Sequence, residues 1–553
     1  MRVKEQNINR ILFWLLAVSA LVRGILAAWM EFSNDEVYYW TYALYPDWSH
    51  FDHPPMVGWM IQLFSLNLLF DSEFFIRLAS VVIMTANTYI IYRIGKDIKN
   101  AQTGLYAALL FTASIYAFVI TGVFIMPDTP LMLFWLLAFW MGSRFFSGLP
   151  RFARNDAKRV VDVIARRNDE AIQKKSSYLI LFGLFAGLAM LSKYSGVFLW
   201  VGMGLYILIF NRKQLKNPSL YLSLLISAIC CIPILYWNLQ NGFASLSFHG
   251  ERVGGGSLSF STLGTELLGE FFYNNPVNVV LSIIAVVLAF SGKVNVRKSV
   301  QRLLLCIALP MIVVFWFFSL TRPILPHWNA PAYVLLILLA ACCLRDKLAD
   351  SQRLPVSIIA ALCVLLLTLL IGVTEIKTGF IPLDKQTEPE MLGREDFTID
   401  MYGWRQLGEK FADFRDQEIA DGVMTADDGI VASEWFPLAH LDYYVARPLG
   451  MRVMGLGWPV FLHKYLWINE ERGGFHLGEN YWFLTDSRYL KDPKEMYKWY
   501  FGEIELVGTI TIERCGKPAK NFFVYTCKGL CSEPPTLTQL KAASGATETH
   551  SRP

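Results

Sequence analysis

Charge is scarce in this chain of 553 residues. Asp, Glu, Lys and Arg together make up 17% of it, against roughly 25% in an ordinary soluble protein. With 54% hydrophobic residues, that scarcity excludes a disordered chain, a fibrous chain and a plain cytosolic enzyme. Nine cysteines in 553 residues do not make a disulfide scaffold. The chain has no Walker motif and no G-x-G-x-x-G placed after a strand, so neither common phosphate cradle is present. The net charge of only +4 gives no concentrated basic face for nucleic acid. There is no heptad run and no short solenoid repeat. The first apolar run is long and lacks a small-residue cleavage motif, so no cleavable signal peptide is expected.

Long apolar runs are what the chain does have. A bilayer core takes about 20 apolar residues per helix, and the sequence divides into about eleven such runs. They fall near 11–30, 74–92, 103–123, 128–147, 177–191, 194–210, 218–237, 276–291, 303–320, 328–344 and 354–373. Roughly 25 Lys and Arg residues lie in 1–10 and in alternate connections; the opposite connections as far as residue 327 hold only about four, Arg77, Lys193, Arg252 and Arg322. Positive charge stays on the cytoplasmic side. The N-terminus is therefore expected inside and the chain beyond the last run outside. Segment 148–176 is expected to be a basic cytoplasmic helix or loop that anchors topology near anionic lipid. The fold class expected is a polytopic α-helical membrane protein with an added C-terminal domain.

From Lys377 the texture changes. Charges, glycines and turn residues return, with short apolar runs such as Gly429-Ile430-Val431, and two segments, 480–486 and 505–515, that read as strands. The division expected is a membrane domain over 1–376 with an amphipathic first outer loop over 31–73, a mixed α/β outer domain over 377–532, and a disordered Ser/Thr/Pro-rich tail over 533–553. Six cysteines sit in apolar runs as small hydrophobes. One pair among Cys515, Cys527 and Cys531 would form a disulfide if that end faces an oxidising compartment.

On this topology all eight histidines face outside. The first outer loop has no Lys or Arg from Glu31 to Ile76, but seven carboxylates: Glu31, Asp35, Glu36, Asp47, Asp52, Asp71 and Glu73. It is also rich in aromatics, including Tyr38, Tyr39, Trp40 and Trp48, which suits a membrane interface. Acids held at such a surface are costly without partners, whether a base, a metal or a substrate. Asp35 and Glu36, at the end of the first run, are placed to put a carboxylate at a cavity mouth, where it can deprotonate an acceptor hydroxyl or amine. The bland alternative is a solvated acidic loop. Asp128, with Pro130 two residues on, reads either as a helix N-cap or as a substrate contact. Arg252 beside the run Gly254-Gly255-Gly256 suits an anion grip. His327, beside Trp328 and Asn329 at a run start, reads as an aromatic-belt anchor or a substrate contact. Arg23 inside the first run reads as a packing or snorkelling residue.

At Asp35-Glu36-Val37-Tyr38-Tyr39 and Phe51-Asp52-His53-Pro54-Pro55 the chain resembles the polyprenyl-phosphate-sugar glycosyltransferases of the GT-C superfamily. It is similar to bacterial glycosyltransferase family 39, the relatives of protein O-mannosyltransferases and lipid A aminoarabinose transferases. The likeness extends less specifically over Pro127-Asp128-Thr129-Pro130, Lys193-Tyr194 and His327-Trp328-Asn329. It implies an inner-membrane enzyme with a periplasmic C-terminal domain. Such an enzyme moves a sugar, with inversion, from an undecaprenyl-phosphate-type donor to a lipid, glycan or protein acceptor. The missing D-x-D agrees with a lipid-linked donor. The resemblance makes Asp35 the base, with Glu36 beside it, and places Asp52 at a metal-ligand position. Two departures stand out: His53 replaces a lysine, and Tyr38 replaces an arginine. Positive charge for the donor phosphate is then expected from His53, Lys193 or Arg252, or from a divalent metal on Asp52, His53 or His249. Tyr38, Tyr39, Asp128 and His327 are the expected substrate contacts; no other cofactor is expected. The competing reading is a transporter or flippase of lipid-linked sugars. It fits less well, since the polar groups gather at one face and no internal repeat is visible.

Overall fold

The computed structural model describes residues 7–147, 161–251, 258–348, 353–535 and residue 539. Arg252, His550 and nearly all of segment 533–553, together with 148–160 of the basic segment, lie outside the described residues. The chain separates into two compact units. The first takes residues 1–27, 53–237 and 249–367; the second takes 28–52, 238–248 and 368–553.

The first unit is a helical membrane bundle. Seven helices among the described residues are long and apolar enough to cross a bilayer: Ile8–Trp29, Glu73–Ile98, Asp128–Ser147, Lys175–Ser192, Lys298–Ser319, Pro326–Lys347 and Val356–Thr378, whose last turns run into the second unit. Two bent pairs, each counted as one span, bring the number among the described residues to at most nine: Pro218–Cys230 with Ile232–Gln240, bent by 42°, and Phe260–Tyr273 with Pro276–Phe290, bent by 102°. The two remaining expected runs fall on shorter apolar elements. Ala101–Ala113 is followed by the π-helical turn Tyr116–Ile120, and Tyr194–Phe210 is the other. The first is interrupted at Ser114, whose amide still reaches the carbonyls of Leu110 and Phe111 but whose backbone is extended (ψ 124°).

Helices approach closely where small residues meet. A Cβ on Gly183 would lie 2.3 Å from the Ser223 carbonyl oxygen, so only glycine permits that crossing. Ser223 Oγ then donates to the Leu179 carbonyl at 2.6 Å. Apolar side chains on the outer helices, such as Phe13, Leu21, Leu366 and Leu370, remain more than half exposed. Such a belt is stable only against lipid. Arg23 instead points inward. It is fully buried, donates to the Ala117 carbonyl at 3.4 Å and lies 4.6 Å over the Phe118 ring.

The second unit carries a five-stranded mixed sheet. Its strands are β1 (Gly429–Ala432), β2 (Val453–Gly455), β3 (Tyr481–Asp486), β4 (Phe501–Arg514) and β5 (Lys517–Leu530). They lie in the order β2-β1-β3-β5-β4. β1 pairs in parallel with β2 and β3, and β5 is antiparallel to both β3 and β4. Segments 480–486 and 505–515 thus supply β3 and much of β4. The β4–β5 hairpin turns on Cys515 and Gly516, both at positive φ (52° and 73°), as a two-residue hairpin of this hand demands. The expected disulfide does not form: Cys515, Cys527 and Cys531 are all free. Cys515 is taken up by the turn and Cys527 is buried inside β5, so their positions are fixed by the sheet rather than by a bond between them.

Candidate active site

In the second unit, residues 28–52 are built onto the C-terminal fold. Glu31 Oε2 accepts the Trp404 amide at 2.8 Å, and the Phe32 amide donates to the Tyr444 hydroxyl at 2.8 Å. Asn34 Oδ1 meets His440 Nε2 at 2.9 Å, and that imidazole stacks on Trp404 at 4.0 Å. Burial raises the Glu31 carboxyl above its usual range and holds His440 well below its own, so His440 is neutral.

These anchors start the helix Asn34–Leu44, with Asp35 and Glu36 in its first turn. Glu36 is fully buried, and its Oε2 accepts from both the Ser33 amide and the Ser33 hydroxyl at 3.1 Å. The two residues form a capping box. Asp35 is half-buried beside it, in the first turn of the same helix. Of the paired acids, Glu36 has a structural task in the helix start, and Asp35 is the less buried of the two.

One turn further on, the helix faces Asp52. The Tyr38 hydroxyl donates to Asp52 Oδ1 at 2.9 Å, and the Tyr42 hydroxyl donates to the same oxygen. Tyr38, in the place of the expected arginine, thus grips the carboxylate as a neutral donor. Burial together with the Asp52 charge pushes both phenols well above their usual range. Tyr39 packs against the rings of Tyr38 and Tyr42 at 5.8 and 5.5 Å.

Lys464, which sequence reasoning missed, completes this cluster. It is 4% exposed. Its Nζ reaches His50 Nδ1 at 3.0 Å, donates to the Tyr45 carbonyl and lies 5.0 Å over the Tyr42 ring. Burial lowers its ammonium from 10.5 to about 7, opposed by the charges of Asp47, Glu471 and Asp52. No local signal marks Lys464, since it is one lysine among many, more than 400 residues from His50 in sequence.

The first unit holds a separate polar cluster. Asp128 is the first residue of Asp128–Ser147, but its carboxylate does not cap that helix. Oδ2 takes the Lys193 ammonium at 2.7 Å, and Oδ1 takes the Tyr116 hydroxyl at 3.0 Å. All of this is buried, and Lys193 also lies 5.8 Å over the Trp328 ring. The Lys193 charge is therefore committed to Asp128. His327, in the short turn Pro326–Asn329, is near enough to interact electrostatically with both. The same turn carries Asn329, whose amide donates to Glu270. Glu270 also receives Trp316 Nε1 at 3.0 Å and the Tyr333 hydroxyl at 2.9 Å. Glu266, one helical turn earlier, is equally buried and lies against the Glu270 carboxyl. These acids lie on Phe260–Tyr273, the half of the bent pair that precedes the expected run 276–291, and hydropathy alone does not reveal them.

Of the expected metal ligands, His53 and His249 lie near each other in the first unit. The His53 and His249 rings are 6.4 Å apart, with Tyr194 4.9 Å from His249. Among the described residues no group of three or more His, Cys, Asp or Glu is arranged to hold a metal.

Comparison with known proteins agrees with this architecture. The family described as dolichyl-phosphate-mannose-protein mannosyltransferase matches residues 52–148 and 170–237. That segment contains Asp52, His53, Asp128 and Lys193 and begins after Asp35 and Glu36. The lipid A galacturonosyltransferase RgtD of Rhizobium johnstonii is 21% identical over 438 residues, covering 76% of this chain and 81% of its own. Among solved structures, ArnT of Cupriavidus metallidurans bound to undecaprenyl phosphate superposes with a TM-score of 0.57 at 13% identity, covering 93% of this chain and 97% of that one. Its apo form gives 0.59 at 13% identity, covering 93% and 98%. The fold is thus that of a polytopic membrane protein with a small C-terminal mixed α/β domain. The comparisons support the GT-C superfamily resemblance read from the first outer loop and indicate a glycosyltransferase.

Proposed function

We propose that the chain transfers a sugar from an undecaprenyl-phosphate-type donor to a lipid, glycan or protein acceptor on the periplasmic face of a bacterial inner membrane. Its N-terminus lies in the cytoplasm. The carrying observation is the first turn of Asn34–Leu44. There a capping box commits Glu36 to the helix start, and Asp35 beside it is the less buried carboxylate. Asp35 takes the proton of the acceptor hydroxyl as that oxygen attacks the anomeric carbon from the face opposite the phosphate, so configuration inverts. A carboxylate in hydrogen-bond reach of the attacking group is the ordinary general base for such a step.

Lys464 supplies the positive charge absent from the first outer loop. Protonated, it meets His50, lies over the Tyr42 ring and offsets the carboxylates that would repel a phosphate. Lys193 has no part in the phosphate grip in this reading, because Asp128 neutralises it. His53 remains the first unit's candidate. The test is transfer by the purified protein in lipid vesicles, with radiolabelled undecaprenyl-phosphate sugars as donors and membrane extract as acceptor. Label leaving the donor is the expected result. Donor crossing the bilayer intact, with no label transferred, would replace the transferase reading by a flippase.

A further inference from the structure

The C-terminal sheet contains a feature that transfer at the first outer loop does not use. β1 sits between β2 and β3, and all three run parallel. The chain leaves β1 for β2 on one side, then returns past β1 to β3 on the other. Crossovers that run in opposite directions leave a crevice at the carboxyl ends of the strands, the usual ligand position in such sheets. Here that crevice is open. A cavity of about 980 Å³ is bounded by Ser433 and Glu434 after β1, by Leu456, Gly457 and Trp458 after β2, and by Lys491 after β3. Lys491 reaches across to pair with Glu434, so the loops after β1 and β3 are tied together at its edge.

The lining identifies the occupant. Trp458 lines the cavity and is 76% exposed; Phe461 is half exposed. Tyr500 forms part of another wall, with Trp499 beside it 76% exposed. Such aromatic faces stand in water at a cost unless something covers them. Charge excludes an anion: Glu434, Glu470 and Glu533 face the cavity, and its single lysine is already paired. A phosphate or uronate would meet net negative charge there. The Gly457 backbone and the exposed His476 imidazole offer hydrogen-bonding groups that a purely aliphatic ligand would leave unmatched. Aromatic faces, hydrogen-bonding groups and excess negative charge together suit a polyhydroxylated ring system that is neutral or cationic. The volume lies at the upper end for small-molecule sites and has room for several sugar rings.

We propose that this crevice is a glycan-binding site for a neutral or cationic oligosaccharide, with Trp458 as its stacking platform. Binding is read without turnover, so the proposal stands apart from the transferase assignment. The test is calorimetric titration of the full-length protein in nanodiscs with three tetrasaccharide probes, of N-acetylglucosamine, glucosamine and galacturonate, and with decanoate as an aliphatic control. The first two are expected to bind saturably, and the galacturonate probe at least about tenfold more weakly. Trp458→Ala, a change at an exposed side chain, should weaken the two binders about tenfold without moving the melting temperature. Lack of saturable binding by both neutral and cationic probes would overturn the proposal. So would tighter binding of galacturonate or decanoate, or a Trp458→Ala variant that binds as wild type does.

Discussion

Asp128 in the helical unit and Asp52 in the mixed unit are both buried, yet their partners differ in kind. Asp128 is met by an ammonium at 2.7 Å and a phenol at 3.0 Å. Asp52 draws two phenols to one oxygen, and the nearby lysine is bonded to His50 and a carbonyl instead. The first arrangement cancels charge inside the membrane unit, where an uncompensated ion is most costly. The second holds a carboxylate by neutral donors and keeps a titratable cation close by. A closed ion pair suits scaffolding; a carboxylate beside a lysine near neutrality suits chemistry on a charged donor.

Separating the partners should break the two clusters unequally. Lys193→Met leaves Asp128 buried and unpaired, and should cost roughly 3–5 kcal/mol of stability. The double change Lys193→Met with Asp128→Leu should recover most of that loss in thermal melts of the detergent-solubilised protein. Asp52→Asn removes a charge but keeps an acceptor for the two phenols, so its cost should be smaller, about 1.5–3 kcal/mol. Equal losses for the two single variants would erase the distinction drawn here.

The Lys464 cluster predicts a pH signature. With its ammonium at about 7 in the folded protein and 10.5 as the ordinary value, the unfolded chain holds a proton between those values that the folded chain has released. Stability should therefore rise with pH across that window, with a slope approaching about 1.4 kcal/mol per pH unit. Lys464→Met should flatten the slope. Denaturation profiles of the two proteins that run parallel from pH 7 to 10 would refute the assignment. Donor affinity should move the opposite way in wild type, weakening above about pH 7 as the cation is lost.

The smallest effect should come from Glu36→Gln. A glutamine closes the same capping box, so stability should fall by less than about 1 kcal/mol and transfer should stay within a few-fold of wild type.

The apolar runs and the positive-charge bias were legible in the sequence because bilayer thickness imposes run length and the membrane imposes charge asymmetry. The acids at Asp35, Glu36 and Asp52 were legible because seven carboxylates without one Lys or Arg is an improbable composition for a loop. Their partners were not. Trp404, His440, Tyr444 and Lys464 lie hundreds of residues downstream, in stretches where nothing local separates them from ordinary core. The capping task of Glu36 likewise shows in its Ser33 contacts, although Ser-x-x-Glu at 33–36 is itself a capping signature that the sequence displays. Glu266 and Glu270 went unnoticed because the bent helix that carries them ends at Tyr273, before the next apolar run.

The most direct measurement is single-turnover sugar transfer by purified wild type, Asp35→Asn and Glu36→Gln in lipid vesicles, with donor binding measured in parallel. The account predicts that Asp35→Asn binds donor as wild type does but transfers about 10²–10⁴-fold more slowly, while Glu36→Gln keeps nearly full rate. Transfer by Asp35→Asn at the wild-type rate, or a greater loss in Glu36→Gln than in Asp35→Asn, would contradict it.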